Sequence, residues 1–221
     1  MALPRLVVLV RHGQSEHHVQ RLTGGWTESP LTALGHEQSR RLAARLKAEL
    51  GDARIALHTS DLQRAAQTAA HIGEALGVEP IADARLREFD NGEAVNMTLD
   101  EARERFPGVF DFPWRIDDRP FPGAETGREL YERVSGFLDT LCAGDPVPVV
   151  VSHGAAIECM IAAWLKITPE ALEPIGFVHH TTGVTTLTRD RFERPLIARL
   201  NDVSHLAGMD GWVRLDYVVP W

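Results

Sequence analysis

The sequence predicts an α/β fold, a three-layer α/β/α sandwich in which helices cover both faces of a mainly parallel sheet. The first observation is the apolar run LVVLV at residues 6–10, whose β-branched valines are typical of a strand buried on both faces. A similar run at 146–152 leads into a helix-like stretch. Helical periodicity between the two runs indicates parallel strands joined by helices. One strand of the carboxyl-terminal half is expected to run antiparallel.

Length and composition favour one domain spanning residues 1–221. The chain has 44% hydrophobic and 24% charged residues, and no segment approaches the length that spans a bilayer. A net charge of −8 argues against nucleic-acid binding, and the lack of a cleavage site after the first apolar run predicts a cytoplasmic protein. Cys142 and Cys159 are expected to be buried free thiols, the alternative being a disulfide.

Both apolar runs end in a histidine followed by a glycine. Arg11, His12 and Gly13 follow the first run, and His153 and Gly154 follow the second. The ligand crevice of an open α/β sheet lies outside the carboxyl ends of its strands, so these side chains are expected to point at a substrate. One histidine at a strand end is a weak signal, whereas two in the same setting indicate a shared site.

A Gly-rich loop follows the first strand. Residues 23–26 read TGGW, and the N–H groups of Gly24 and Gly25 are candidates for contact with substrate oxygens. The alternative is a plain turn. A helix is expected from residue 31 onwards because leucines recur there at helical spacing.

The second strand is expected at residues 55–59, followed by a helix with Ser60 or Asp61 as its cap. Arg64 lies in the first turn of that helix. A cation at a helix amino terminus opposes the macrodipole, so its position there indicates a role other than helix stability. The alternative is an ordinary surface arginine.

A third, short strand at 81–86 is expected to deliver Glu88 to the same edge of the sheet. A carboxyl group there is a candidate for moving protons during catalysis. Arg85 and Arg87 flank this residue, so the alternative is a surface carboxylate paired with either of them.

Residues 89–126 lose the regular pattern and are expected to form a lid. Capping boxes at Thr98 with Glu101 and at Thr126 with Glu129 predict the start of two helices.

The carboxyl-terminal part continues with regular elements. A small helix is expected from 168–169, and strands at 183–188 and 196–200. The apolar tail at 216–221, DYVVPW, is expected to pack on the domain or on a second subunit, which makes a homodimer a possible assembly.

Four short motifs together resemble the histidine phosphatase superfamily, also called the phosphoglycerate mutase-like family. They are RHG at 11–13, SDLQR at 60–64, LRE at 86–88 and SHG at 152–154. The resemblance runs from about residue 5 to residue 206, in the family's order. It implies that His12 carries the phosphoryl group and that Glu88 shuttles protons. It further implies a phosphate pocket of Arg11, Arg64 and His153. Further candidate contacts with the substrate, apart from the resemblance, are His18, Gly24, Gly25 and Gly154.

The residues fit phosphoryl transfer on physical grounds. A phosphate monoester is a dianion near neutral pH, and guanidinium forks offset the repulsion that a nucleophile meets. A neutral histidine can attack phosphorus through one nitrogen while an acceptor on the other fixes the tautomer. No cofactor is expected, and the partner is a small phosphorylated substrate. The rival chemistry is a metal site; its candidate ligands are His17, His18, His179 and His180.

The chain departs from the family pattern around the leaving group. His18 stands where the family commonly has Asn, Ala94 replaces a frequent aromatic residue, and Ala155 replaces the Asn of the mutases. The adjacent arginines of the mutase lid are here the separated Arg115 and Arg119. These differences favour a metal-independent phosphomonoesterase. The alternatives are a 2,3-bisphosphoglycerate-dependent phosphoglycerate mutase and a catalytically inactive binding protein of the same fold.

Overall fold

Strands and helices alternate along the chain in the computed structural model, which describes residues 4–109, 115–141, 144 and 146–210. The strands are β1 (Leu6–Arg11), β2 (Ile55–Thr59), β3 (Ile81–Ala82), β4 (Val147–Ser152), β5 (Val184–Arg189) and β6 (Pro195–Asp202). The α-helices are α1 (Glu16–Gln20), α2 (Ala33–Leu50), α3 (Gln63–Leu76), α4 (Leu99–Arg105), α5 (Gly127–Leu138), α6 (Gly154–Leu165) and α7 (Pro169–Leu172). Short 3₁₀ helices lie at Ala84–Leu86, Gly92–Ala94 and Ser204–Leu206.

The strands form one sheet with the order β3-β2-β4-β1-β5-β6. β1 pairs in parallel with β4, β4 with β2, and β2 with β3. β5 runs antiparallel to both of its neighbours, β1 and β6. The predicted mainly parallel sheet with one antiparallel strand is therefore confirmed for the described part of the chain.

Two apolar cores lie on opposite faces of the sheet because side chains alternate along a strand. Val7 and Leu9 of β1 pack against α5 and α6, whereas Val8 and Val10 pack against α2 and α3. Helices thus cover both faces, and the central strands are buried on each side. This burial is the reason why the valine-rich runs could be recognised in the sequence.

Two local expectations are corrected. The strand expected at 81–86 stops at Ala82, because the Asp83 side chain accepts the N–H of Arg85 (2.9 Å) and the chain turns into a 3₁₀ helix. The cap of α3 is Leu62, without a side-chain hydrogen bond, and not Ser60 or Asp61. Both predicted capping boxes are confirmed, at the starts of α4 and α5.

Cys159 is a buried free thiol, as expected. Cys142, residues 110–114 of the expected lid and the apolar tail lie outside the described residues. Among the helices that are described, none combines the length and the apolar character needed to cross a membrane.

Candidate active site

The two predicted histidines lie side by side because their strands are neighbours. Arg11 pairs with Ser152 at the ends of β1 and β4, and the next residue of each strand is a histidine. The ring centroids of His12 and His153 are 4.9 Å apart, and both rings are buried. Strand order, rather than sequence proximity, creates this pair.

The tautomer of His12 follows from a backbone contact. Its Nδ1 lies 2.7 Å from the carbonyl oxygen of Gly13, which accepts but cannot donate, so this nitrogen carries the proton. The lone pair therefore belongs to Nε2. Nε2 accepts the Nε–H of Arg64 at 3.2 Å, so the lone pair points at a cationic group.

Arg64 is buried inside the site, with 1% of its surface exposed, so the surface-arginine alternative is wrong. Its guanidinium donates to the carbonyl oxygens of Thr27 and Gly25, each at 2.7 Å. Burial lowers its pKa to about 10, so it stays a cation near neutral pH. The Gly-rich loop thus holds an arginine through carbonyl groups, and the expected N–H contact with substrate stays a prediction.

Arg11 and His18 lie beside His12 and contact each other. Arg11 donates through Nη1 to the carbonyl oxygen of His179, and its Nη2 lies 3.2 Å from Nε2 of His18. The His18 ring stacks on His12 with a centroid distance of 5.4 Å and an interplanar angle of 14°. Ser15, which the sequence analysis missed, donates its N–H to Nδ1 of His18 at 3.2 Å and orients the ring.

The buried histidines are kept neutral. Burial is the main cause that lowers the pKa of His12, His18 and His153 well below the ordinary value, and the Arg64 and Arg11 charges lower it further. Burial likewise lowers the pKa of His17 to about 3. At neutral pH the pocket therefore combines nucleophilic, uncharged imidazoles with two guanidinium cations.

Glu88 faces the amino terminus of α6. Its carboxylate accepts the N–H groups of Phe89 (2.9 Å), Ala156 (3.2 Å) and Ala155 (3.4 Å). A Cβ on Gly154 would lie 3.7 Å from this carboxylate and 3.9 Å from the Arg11 guanidinium, so both charged groups lie close to Gly154.

The alternative of a paired surface carboxylate is wrong for Glu88. Arg85 pairs instead with Asp83 at 2.6 Å, and Arg87 forms a two-pronged ion pair with Asp61 at 2.6 and 2.7 Å. Both flanking arginines therefore pair with other carboxylates, and neither forms an ion pair with Glu88.

Ser60 contacts the second histidine. Its Oγ lies 2.8 Å from Nε2 of His153, while Nδ1 of His153 is buried with no hydrogen-bond partner among the described residues. Ser60 begins a motif that the sequence analysis quoted, yet it was assigned to helix capping. Its position directly after a strand was the signal that could have placed it in the site.

The four candidate metal ligands do not form a metal-binding cluster with one another in the described part of the chain. His17, His18, His179 and His180 are all described, and no group of three or more histidine, cysteine or acidic side chains among the described residues is arranged to hold a metal ion. The Nδ1 of His17 lies 2.9 Å from the Ser15 hydroxyl.

The sheet topology and the cluster of two histidines, two arginines and a carboxylate define a phosphoglycerate mutase-like protein. A family model described as the histidine phosphatase superfamily, branch 1, matches residues 7–203. The chain belongs to this superfamily.

Relatives of the chain carry both phosphatase and mutase names. It is 36% identical to the probable phosphoglycerate mutase GpmB of Escherichia coli over 171 residues, which cover 73% of this chain and 75% of that protein. It is 25% identical to the solved mycobacterial glucosyl-3-phosphoglycerate phosphatase, with a TM-score of 0.78 and coverage of 89% of this chain and 98% of that chain. It is 30% identical to Bacillus stearothermophilus YhfR, with a TM-score of 0.76 and coverage of 91% and 98%.

Proposed function

We propose that the protein is a phosphomonoester hydrolase that works through a phosphohistidine intermediate on His12. The observation that carries the proposal is the Gly13 contact, which leaves the lone pair of His12 on Nε2, beside a buried guanidinium and 4.9 Å, ring to ring, from a second imidazole. A neutral nucleophile among fixed cations suits attack on a dianion.

In the first step the Nε2 of His12 attacks phosphorus. The N–P bond forms as the bond from phosphorus to the ester oxygen breaks, and the Arg64 N–H that occupies Nε2 moves to a phosphate oxygen. Arg11 and His153 stabilise the equatorial oxygens, and the orphaned Nδ1 of His153 is the donor. Glu88 is the proton donor to the leaving alkoxide.

In the second step water attacks the phosphohistidine. Glu88 now accepts the proton of the water, an O–P bond forms, and the N–P bond breaks with return of the electron pair to His12. Each proton transfer of this kind contributes about 10²- to 10⁴-fold to the rate. The products are an alcohol and inorganic phosphate.

The substrate is proposed to be a small phosphorylated metabolite whose leaving group is selected by the region 89–126. His18, Ala94 and Ala155 differ from the residues common in the family, whereas Arg11, Arg64 and His153 of the proposed phosphate pocket are all present. A second candidate, phosphoglycerate mutase activity, is favoured by the identity to GpmB. It requires the phosphohistidine to survive water until an acceptor hydroxyl binds.

The decisive experiment is a panel of phosphate monoesters assayed with the wild-type protein and with His12→Ala. We expect release of inorganic phosphate by the wild type, an acid-labile phosphoryl group on the trapped protein, and loss of both in the variant. Absence of phosphate release across the whole panel would refute the hydrolase.

The same preparations separate the other two functions. Net conversion of 3-phosphoglycerate to 2-phosphoglycerate, faster than phosphate release, would identify a mutase. A protein that binds phosphate but never becomes phosphorylated would be the inactive binding protein.

A further inference from the structure

The backbone of Glu88 is held by two side chains that lie far from it in sequence. Its carbonyl oxygen accepts the indole N–H of Trp26 at 2.7 Å and a guanidinium N–H of Arg133 at 3.1 Å. The Trp26 ring in turn lies under the guanidinium of Arg87, 4.7 Å from the ring centroid. Two donors on one carbonyl oxygen fix the peptide plane that carries the Glu88 side chain.

Arg133 also binds the backbone of the residues that precede Glu88. Its Nη1 donates to the carbonyl oxygens of Arg85 (2.8 Å) and Arg87 (2.9 Å). These carbonyl groups lie in the 3₁₀ helix at 84–86 and just after it, where backbone acceptors lack helical donors. One guanidinium therefore binds three carbonyl groups of a four-residue stretch.

Arg133 is itself fixed by a largely buried ion pair with Glu125. The two carboxylate oxygens lie 2.5 Å from Nη2 and 3.2 Å from Nε, and the two side chains are only 17% and 13% exposed. Glu125 also accepts the N–H of Asp90 at 2.9 Å. Segments on both sides of Glu88 thus converge on the same ion pair.

We infer that Arg133, held by Glu125, and Trp26 are positioning residues for proton transfer by Glu88. Among the described residues, the side chains of all three form hydrogen bonds with one another or with the backbone of residues 85–90, so we expect them to act through the Glu88 backbone. The inference rests on the proposed function, because it assigns these three residues to the proton-transfer step of that reaction.

The leaving group distinguishes this role from a general structural one. An alkoxide must be protonated as it leaves, whereas p-nitrophenolate is stable enough to leave unprotonated. Loss of the hydrogen bonds that hold the Glu88 backbone should therefore lower the rate at which an alkyl phosphate phosphorylates His12. The rate with p-nitrophenyl phosphate should change little. Damage to the phosphate pocket would slow both.

The test measures single-turnover phosphorylation of His12 by glycerol 2-phosphate and by p-nitrophenyl phosphate. The first variant combines Arg133→Met with Glu125→Gln, so that no buried carboxylate is left unpaired. The second, Trp26→Phe, keeps an aromatic ring under Arg87 and removes the N–H donor to the Glu88 carbonyl oxygen. Arg128→Met is the matched control, since Arg128 lies on the same helix and pairs with Asp117 and Glu170 at the surface.

We expect the glycerol 2-phosphate rate to fall about 30- to 100-fold in the double variant and about tenfold in Trp26→Phe. The p-nitrophenyl phosphate rate should stay within about threefold of wild type, and the control should be unchanged for both substrates. Equal losses on the two substrates, or no loss in Trp26→Phe, would overturn the positioning role. Trp26→Phe alone decides the matter if the double variant does not fold. Failure of the wild type to become phosphorylated by either substrate would instead refute the hydrolase itself.

Discussion

The hydroxyl of Ser60 determines how one imidazole is presented to the pocket. Because it contacts Nε2 of His153 at 2.8 Å, the other nitrogen of that ring remains for a ligand. Ser60→Ala should weaken binding of inorganic phosphate about tenfold, which corresponds to about 1.4 kcal/mol, since a buried nitrogen loses its partner and its ring loses orientation. Isothermal titration with phosphate checks this, and an unchanged affinity would show that Ser60 has no part in the site.

Single residues were predictable where chemistry and strand ends coincide. His12, Arg11 and His153 could be found because polar side chains at the end of a valine run have little structural reason to be there. Arg133 and Trp26 could not, because the role that we propose for them depends on which carbonyl groups lie nearby after folding. A hydrogen bond between distant elements leaves no periodic signal in the sequence.

The crossing of α2 over the turn after β1 depends on a glycine. A Cβ on Gly35 would lie 1.9 Å from the carbonyl oxygen of Gln14, a backbone atom that cannot rotate away. Gly35→Ala should therefore lower the free energy of unfolding by more than about 3 kcal/mol and displace the segment that carries His12. Urea denaturation measures the change.

Gly136 provides the matched control for that substitution. It lies in α5, is exposed, and has open space where a Cβ would be added. Gly136→Ala should raise the free energy of unfolding by about 0.5–1 kcal/mol through helix propensity. If both alanines had the same effect, the close contact at Gly35 would not be the cause.

The predicted cap of α3 was wrong because the two residues that local capping rules favour there make other contacts in the folded protein. Ser60 and Asp61 are both good capping residues. In the folded protein the Ser60 hydroxyl contacts His153 and the Asp61 carboxylate pairs with Arg87, so α3 starts at Gln63 without a side-chain cap. Elsewhere, at α4 and α5, no such competition exists and the capping boxes were predictable.

The whole molecule is expected to lose stability in mild acid. An exposed histidine has a pKa near 6.5. Burial lowers the pKa of five histidines in the folded protein and keeps them neutral; they are His12, His17, His18, His153 and His179. For His17 and His179 the pKa falls to about 3. The unfolded chain therefore binds more protons below pH 6.5. Stability is complete above that pH and is lost as the pH falls.

Each of these histidines contributes up to about 1.4 kcal/mol per pH unit in that range. Urea denaturation at a series of pH values between 6.5 and 5, above the range where most carboxylates titrate, should show a free energy of unfolding that falls steeply as the pH falls. A flat profile would mean that the imidazoles become protonated in place. At pH 6 the nucleophile should still be uncharged, so loss of activity in acid should follow unfolding and not titration of His12.

The layer architecture could be predicted from the sequence, whereas the strand order could not. Apolar runs in the sequence indicate buried parallel strands. Nothing local specifies that β4 inserts between β1 and β2, because that choice depends on how both cores pack. The convergence of His12 and His153 was consequently expected from their common position at strand ends and from the family motifs, and not from a predicted strand order.

The pairing of β1 with β4 has a consequence for biosynthesis. During translation the first strand emerges from the ribosome long before its neighbour at Val147–Ser152 exists. Such distant parallel pairing closes a long loop and forms late. Every nascent chain that stops short of the fourth strand carries His12 on an incomplete sheet, so a truncated product retains His12 without His153 beside it.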